Sequence, residues 1–311
     1  MQLSETHSDS LQAQLHSLLD CALAYCERGD YFSAFQLSGE KLTQLCDRIN
    51  INASDDSLLS ARLHPFFKLC QQDPYTSRAF SKPRGYAGDA VMLDYIYSGA
   101  VPAETTSHGR GIFACTTASS MGLSVLFRRH LLTAYINETV LNNPQARILS
   151  VASGHCREFE NTLALSDIFK GEIVAFDQDA ESCAEVNRAY GGRVKTHIAG
   201  INALLQTSRA EQESFDFIYS AGLYDYLPER KAKALSESLK NRLKPGGRLV
   251  VGNFSPDSSG RGYLQLIMDW HLIYRDTPSL TTLFGDLTGF TVNNYADPHN
   301  NVVYIDIIKD A

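Results

Sequence analysis

Two tyrosines flank an aspartate at Tyr224-Asp225-Tyr226, and Trp270, His271, Tyr274 and Arg275 follow within one short stretch. Aromatic faces suit a reaction in which positive charge is dispersed. A guanidinium fork matches a carboxylate or another planar group, and an imidazole can take a proton. Tyr224 and Tyr226 are therefore candidates for catalysis, Trp270 and Tyr274 for an aromatic acceptor site, Arg275 for an acceptor anchor and His271 for a base. Core packing explains Trp270 equally well, and an ion pair with Asp276 is the other reading of Arg275.

A second set of candidates surrounds RILSVASGHCREFE, residues 147–160. A short apolar run entering small residues reads as a strand leading into a cofactor loop, yet only Gly154 is a glycine there. A dinucleotide pyrophosphate rests on bare backbone at a helix N-terminus and calls for several glycines. S-adenosylmethionine has no phosphate, so its sulfonium and amino-acid end need less. The loop composition disfavours a nicotinamide cofactor more than a methyl donor. Ala152, Ser153 and Gly154 are the expected loop contacts, with His155 bonding or lining the cofactor. Glu158, expected just inside the next helix, is placed to face an ammonium, although helix-dipole stabilisation explains it comparably.

Asp177 ends the next apolar run, about 20 residues beyond the loop glycine, where an acid can accept both ribose hydroxyls. Asp179 fits a helix N-cap better, because it directly precedes AESCAEV. Gln178 is expected to edge the adenine, Asn202 to approach it after the third strand, and Ser220, Ala221 and Gly222 to close the fourth. Arg84 and Tyr86 lie in KPRGYAGD, residues 82–89, too polar and irregular for a core. That segment reads as a lid, with Arg84 near the cofactor carboxylate and Tyr86 near both cofactor and acceptor. Asp89 alternatively only caps the following helix.

These residues need two kinds of scaffold. Up to about Asn143 the apolar spacing is helical, with Leu11, Leu15, Leu18, Leu19, Ala22 and Cys26 on one face. A second helix carries Phe35, Leu42 and Leu45, a third is capped by Asp55 or Asp56, and a long helix spans about residues 116–141. From Arg147 strands alternate with helices. Strands are expected at 148–152, 173–176, 194–199, 215–220 and 248–254, with helices at about 158–169, 179–190, 202–207 and 229–243. Such alternation means a parallel sheet covered on both faces. Lys244-Pro245-Gly246-Gly247 is the turn into the fifth strand. The runs at 290–295 and 302–308, joined by ADPHNN, read as a terminal antiparallel hairpin.

In this order the motifs resemble the class I S-adenosylmethionine-dependent methyltransferases over roughly residues 146–309. The resemblance implies an α/β fold with a Rossmann-like seven-stranded sheet. An all-helical N-terminal domain over 1–143 would precede a catalytic domain over 144–311. KPRGYAGD, IYSAGLYDYL, GNFSP and MDWHLIYR resemble a bacterial subgroup, the extracellular-factor 3-hydroxypalmitate methyl ester biosynthesis proteins. It implies methylation of a small molecule on oxygen, with a carboxylate as one acceptor. N-methylation of an amine or amino-acid-like compound is the alternative, and a non-catalytic S-adenosylmethionine-binding module is the rival outside enzymes.

A net charge of −7 and the lack of any Lys/Arg run argue against nucleic-acid binding. Arg128-Arg129-His130, the most basic cluster, falls in a helical pattern and reads as a solvated face. Seven scattered cysteines without ligand spacing read as free thiols, with no metal site expected. The polar, acidic N-terminus has no signal-like apolar core, and no stretch is long enough to span a membrane. A cytoplasmic protein is expected, with a homodimer left open.

Overall fold

The computed structural model describes residues 2–49, 56–205 and 214–311. These cluster into two compact units, one comprising residues up to Leu123 plus Ser258–His271, the other Ser124–Asp257 plus Leu272–Ala311. The division therefore differs from a single boundary at 143/144 in two respects. Most of the last N-terminal helix goes with the sheet, and a short C-terminal stretch goes with the helices.

The first unit begins with α1 (Gln2–Glu27) and α2 (Tyr31–Ile49), followed by α3 (Asp56–Leu63), α4 (Pro65–Cys70), α5 (Pro74–Ser81), α6 (Ala90–Ser98) and α7 (Ser107–Thr117). Leu15, Leu19, Ala22 and Cys26 of α1 are fully buried, as their spacing predicts. The cap expected at Asp55 or Asp56 lies outside the described residues and side chains. Asp73 caps α5 by accepting from the Tyr75 and Thr76 amides, and Asp89 caps α6 through the Met92 amide. The stretch 258–271 joins this unit because Gly262 packs directly on the α2 backbone. A Cβ there would lie 2.3 Å from Leu42 C and Thr43 N, so only glycine permits the approach.

The long helix expected at about 116–141 forms as α8 (Ser120–Asn142); it starts later because the chain turns at residues 118–119, and residues 116–117 end α7. In the second unit the strands are β1 (Arg147–Val151), β2 (Glu172–Asp177), β3 (Lys195–Ile198), β4 (Phe215–Ser220), β5 (Leu243–Phe254), β6 (Phe290–Ala296) and β7 (Val302–Lys309). They form one sheet in the order β3-β2-β1-β4-β5-β7-β6. The first five strands are parallel; β7 lies antiparallel between β5 and β6. Asp297 closes the hairpin, accepting from the Asn301 and Val302 amides at 2.8 and 2.7 Å.

The helix expected at 158–169 is absent from these described residues. Two 3-10 turns, Arg157–Phe159 and Leu163–Leu165, replace it, and Asn161 between them takes a left-handed φ of 63° that ends helical continuity. The segment after β3 is likewise a 3-10 turn, Ile201–Ala203, followed by a turn at 204–205; residues 206–207 of the expected helix lie outside the described residues. The helices at 179–190 and 229–243 form as α9 (Ala180–Tyr190) and α10 (Glu229–Asn241).

Candidate active site

Strand order reverses between β1 and β4, so the crevice for a ligand opens at their carboxyl ends. The loop after β1 meets its glycine deficit with strain. Ala152, Gly154 and Cys156 all take left-handed φ, at 54°, 53° and 53°, and only one of them is glycine. Left-handed backbone at alanine and cysteine costs about 1–2 kcal/mol each, and such strain concentrates at functional sites. Ser153 is buried, and its Oγ has no hydrogen-bond partner among the described residues.

Asp177 holds this loop. Its Oδ2 accepts from the Gly154 amide at 2.8 Å, and its Oδ1 accepts from the Asp179 amide at 2.9 Å. Each oxygen keeps a second lone pair, which is what a ribose diol would need. Burial raises the Asp177 pKa, opposed by those amide bonds. Asp179 caps α9 through the Glu181 amide. The Ala199 amide bonds Asp177 O, so the end of β3 lies beside the end of β2. Gln178 and Asn202 are both exposed there, as adenine contacts would have to be. Ser220 Oγ donates to Val151 O at 3.2 Å, tying the end of β4 to the end of β1.

Glu158 is buried and sits in the first 3-10 turn, not inside an α-helix. The Tyr219 hydroxyl donates to its carboxylate. Burial raises its pKa, against the Tyr219 bond and the charges of Arg128 and Arg129. His155 is buried beside it in the same loop.

Other expectations need correction. Tyr224 is fully buried, its hydroxyl paired with Ser236 at 3.0 Å and its ring stacked on Phe284, so it is core and not a reaction wall. Tyr226, half-buried, remains open to that role. Arg275 is no acceptor anchor. Its guanidinium donates to Tyr224 O at 2.7 Å, Asn253 Oδ1 at 2.8 Å and Leu227 O at 2.6 Å, all buried. His271 and Arg275 lie on an irregular stretch, residues 269–276. Tyr274 is half-buried beside Arg275.

Arg84, Tyr86, Trp270 and His271 belong to the first unit. Trp270 is buried with its amide bonded to Leu264 O, which favours packing. His271 is exposed and pairs with Asp269 at 3.3 Å. Arg84 and Tyr86 lie in the irregular segment after α5, both half-buried.

Asp225 and Arg128 are buried charged residues, neither of which the sequence reading placed in a site of its own. Asp225 is 3% exposed on the turn after β4. Its Oδ1 accepts from the Phe254 amide at 2.7 Å, its only side-chain hydrogen bond among the described residues. Burial pushes its carboxyl up to about 7, against the charges of Arg128 and Arg275. Arg128, expected on a solvated face, is 5% exposed and donates to Ala221 O at 2.6 Å. The signal was its register, since Met121, Val125, Leu132, Ile136 and Val140 bury the same stripe of α8.

Among the described residues no group of three or more His, Cys, Asp or Glu side chains is arranged to hold a metal ion. No described helix is long and apolar enough to cross a membrane.

The topology and the strand-end residues define a class I nucleotide-binding α/β sheet. Residues 148–247, from β1 into the first residues of β5, match the family described as methyltransferase domain. S-adenosylmethionine is the cofactor of that domain, and an orphaned Ser153 hydroxyl, a diol-ready Asp177 and a buried Glu158 suit its uncharged ribose and charged amino-acid end. No curated protein matches the chain. Among solved structures, a possible exported protein from Bordetella parapertussis shares 16% identity at a TM-score of 0.60, covering 82% of this chain and 94% of its own. That likeness is one of fold. The N-methyltransferase NodS from Bradyrhizobium japonicum WM9, bound to S-adenosyl-L-homocysteine, gives 14% identity and a TM-score of 0.43 over 60% of this chain and 87% of its own. Magnesium protoporphyrin IX methyltransferase from Synechocystis PCC 6803 gives 13% identity and 0.44 over 60% and 85%.

Proposed function

We propose that the chain transfers a methyl group from S-adenosylmethionine to an oxygen of a small-molecule acceptor. The observation that carries this reading is the Asp177–Gly154 bond at the switch point, within the span that matches a methyltransferase domain. When bound, the cofactor supplies a methyl carbon made electrophilic by its sulfonium. The side chains position and desolvate. Asp177 accepts from the ribose hydroxyls, Gln178 and Asn202 edge the adenine, and Glu158 faces the ammonium.

Asp225 lies at the end of β4 with a carboxyl poised near neutrality, which suits removal of a proton from a hydroxyl acceptor. Arg275 is committed to main-chain carbonyls, so a carboxylate acceptor lacks the anchor expected from its guanidinium fork. A hydroxyl is therefore the preferred acceptor, and an amine the second reading, because either must lose a proton at Asp225. A cytoplasmic site of action and a homodimer accompany this proposal.

Isothermal titration should give saturable binding of S-adenosylmethionine and S-adenosylhomocysteine, with NAD and NADP silent. Nicotinamide binding alone would reverse the assignment. Turnover of isotope-labelled methyl donor with a metabolite library then reads the methylated atom by NMR, and binding without turnover would leave a sensor module.

A further inference from the structure

We infer that Asn253 is a positioning residue for the reaction, holding the Asp225 carboxyl in place through residues 273–275. The inference rests on the proposed role of Asp225 as the group that takes the acceptor's proton.

The need for such a device comes from strand lengths. Pairing of β4 with β5 ends at Ser220 and Val251, whereas pairing of β5 with β7 continues to Phe254 and Val302. The last three residues of β5 thus run past the end of β4, and main-chain groups left open on that edge need partners. Phe254 N donates to Asp225 Oδ1 at 2.7 Å, and Phe254 O accepts from the Arg275 amide at 3.0 Å. Ile273 completes the tie. Its amide donates to Asp225 O at 2.8 Å, and its carbonyl accepts from Asn253 Nδ2 at 2.9 Å. All of these residues belong to the second unit.

Asn253 is fully buried and uses both ends of its side chain. Nδ2 donates to Phe254 O as well, at 3.0 Å, while Oδ1 accepts from Arg275 Nη1 at 2.8 Å. Two carbonyls require donors and the guanidinium requires an acceptor. A carboxamide satisfies all three, and neither a carboxylate nor a hydroxyl does. The amide thereby fixes residues 273–275 across the turn after β4. Asp225 is left 3% exposed, faced by the charges of Arg128 on α8 and of Arg275. Burial outweighs those charges and raises its carboxyl to about 7. Loosening the 273–275 segment therefore admits water and returns the carboxyl towards its ordinary range.

Carbon-13 NMR of protein labelled at aspartate carboxyls reads the test, with Asp225 assigned by its absence from Asp225→Asn. In Asn253→Ala the Asp225 midpoint should fall by about one pH unit or more, since burial is what raises it. Leu239→Ala, a core truncation on α10, should leave that midpoint within about 0.3 units. In the wild type, where no substitution can unfold the chain, the Asn253 side-chain amide and the Phe254 amide should shift with the Asp225 midpoint. Asp225→Asn should abolish both shifts. With a hydroxyl acceptor from the metabolite library, Asn253→Ala should lower kcat about 10- to 100-fold, as misplacement of a reacting group does. The acceptor KM should change less than about threefold, and the rising limb of kcat with pH should move down with the NMR midpoint. An unchanged midpoint in folded Asn253→Ala, an equal fall in Leu239→Ala, or an Asn253 amide blind to pH would each overturn the role. Turnover that survives in Asp225→Asn would instead sink the base reading, and this role with it, whatever the midpoints.

Discussion

The Asp177 carboxylate receives the Gly154 amide at 2.8 Å, joining positions 23 residues apart in sequence. Its other oxygen starts the turn into α9 by accepting from the Asp179 amide. One side chain therefore sets the loop and offers the ribose acceptors. Asp177→Ala should weaken S-adenosylhomocysteine binding by about 1.5–3 kcal/mol, since it removes hydrogen bonds to a charged group. Calorimetry on folded variant checks this. Unchanged affinity would mean the loop contacts the cofactor without Asp177.

Asp225 links the turn after β4 to the end of β5 through the Phe254 amide. Its carboxyl rises from an ordinary 3.8 to about 7 in the fold, chiefly by burial. Between those values the folded chain holds a proton that the unfolded chain has released. This group's contribution to stability is therefore full below pH 3.8 and is lost as pH rises towards about 7. Asp225→Asn keeps an acceptor for the Phe254 amide and cannot ionise. Its melting temperature relative to wild type should climb across that window and level off above it. A difference that stays flat from pH 4 to about 8 would show that the carboxyl titrates normally. The same variant should lose turnover of a hydroxyl acceptor while retaining cofactor binding.

Arg275 spans Tyr224 O, Leu227 O and Asn253 Oδ1, so it braces the turn that carries Asp225. Lysine cannot reach three acceptors set for a planar fork, and each buried carbonyl left over costs about 1–3 kcal/mol. Arg275→Lys should destabilise the protein by about 2–4 kcal/mol in urea unfolding. A variant of wild-type stability that has lost turnover would restore the acceptor-anchor role.

Much of the sheet was legible because buried parallel strands are short apolar runs, and Asp177 and Asp179 could be separated by their distance from AESCAEV. The site was harder. Arg128 looked solvated because its neighbours Arg129 and His130 are polar, although its own register matches Val125 and Leu132 on the buried stripe. Tyr224 and Arg275 looked catalytic because their types suit the chemistry, but hydrogen bonds to Ser236 and to main-chain carbonyls engage them. Such acceptors come from residues distant in sequence, and no periodicity encodes them. The turn at 157–165 defeated the helical pattern for a local reason, the left-handed Asn161.

Lys82 and Asp269 present the last case, because both residues of this ion pair take left-handed backbone at φ 49°. Arg62 reaches the same carboxylate at 2.6 Å, and these two cations together hold the Asp269 pKa down against burial. Left-handed backbone at a non-glycine residue costs about 1–2 kcal/mol, so the pairing offsets strain at both ends of the link. Asp269→Asn removes the charge that both cations need. Amide exchange across residues 82–89 should then speed up in the ligand-free protein, and high salt should reproduce part of the effect in wild type. If the segment also serves as the lid that Arg84 and Tyr86 suggest, S-adenosylhomocysteine should slow the same amides. Exchange that responds to Asp269→Asn but not to the nucleoside would leave residues 82–89 a strained connector and remove Arg84 and Tyr86 from the cofactor site.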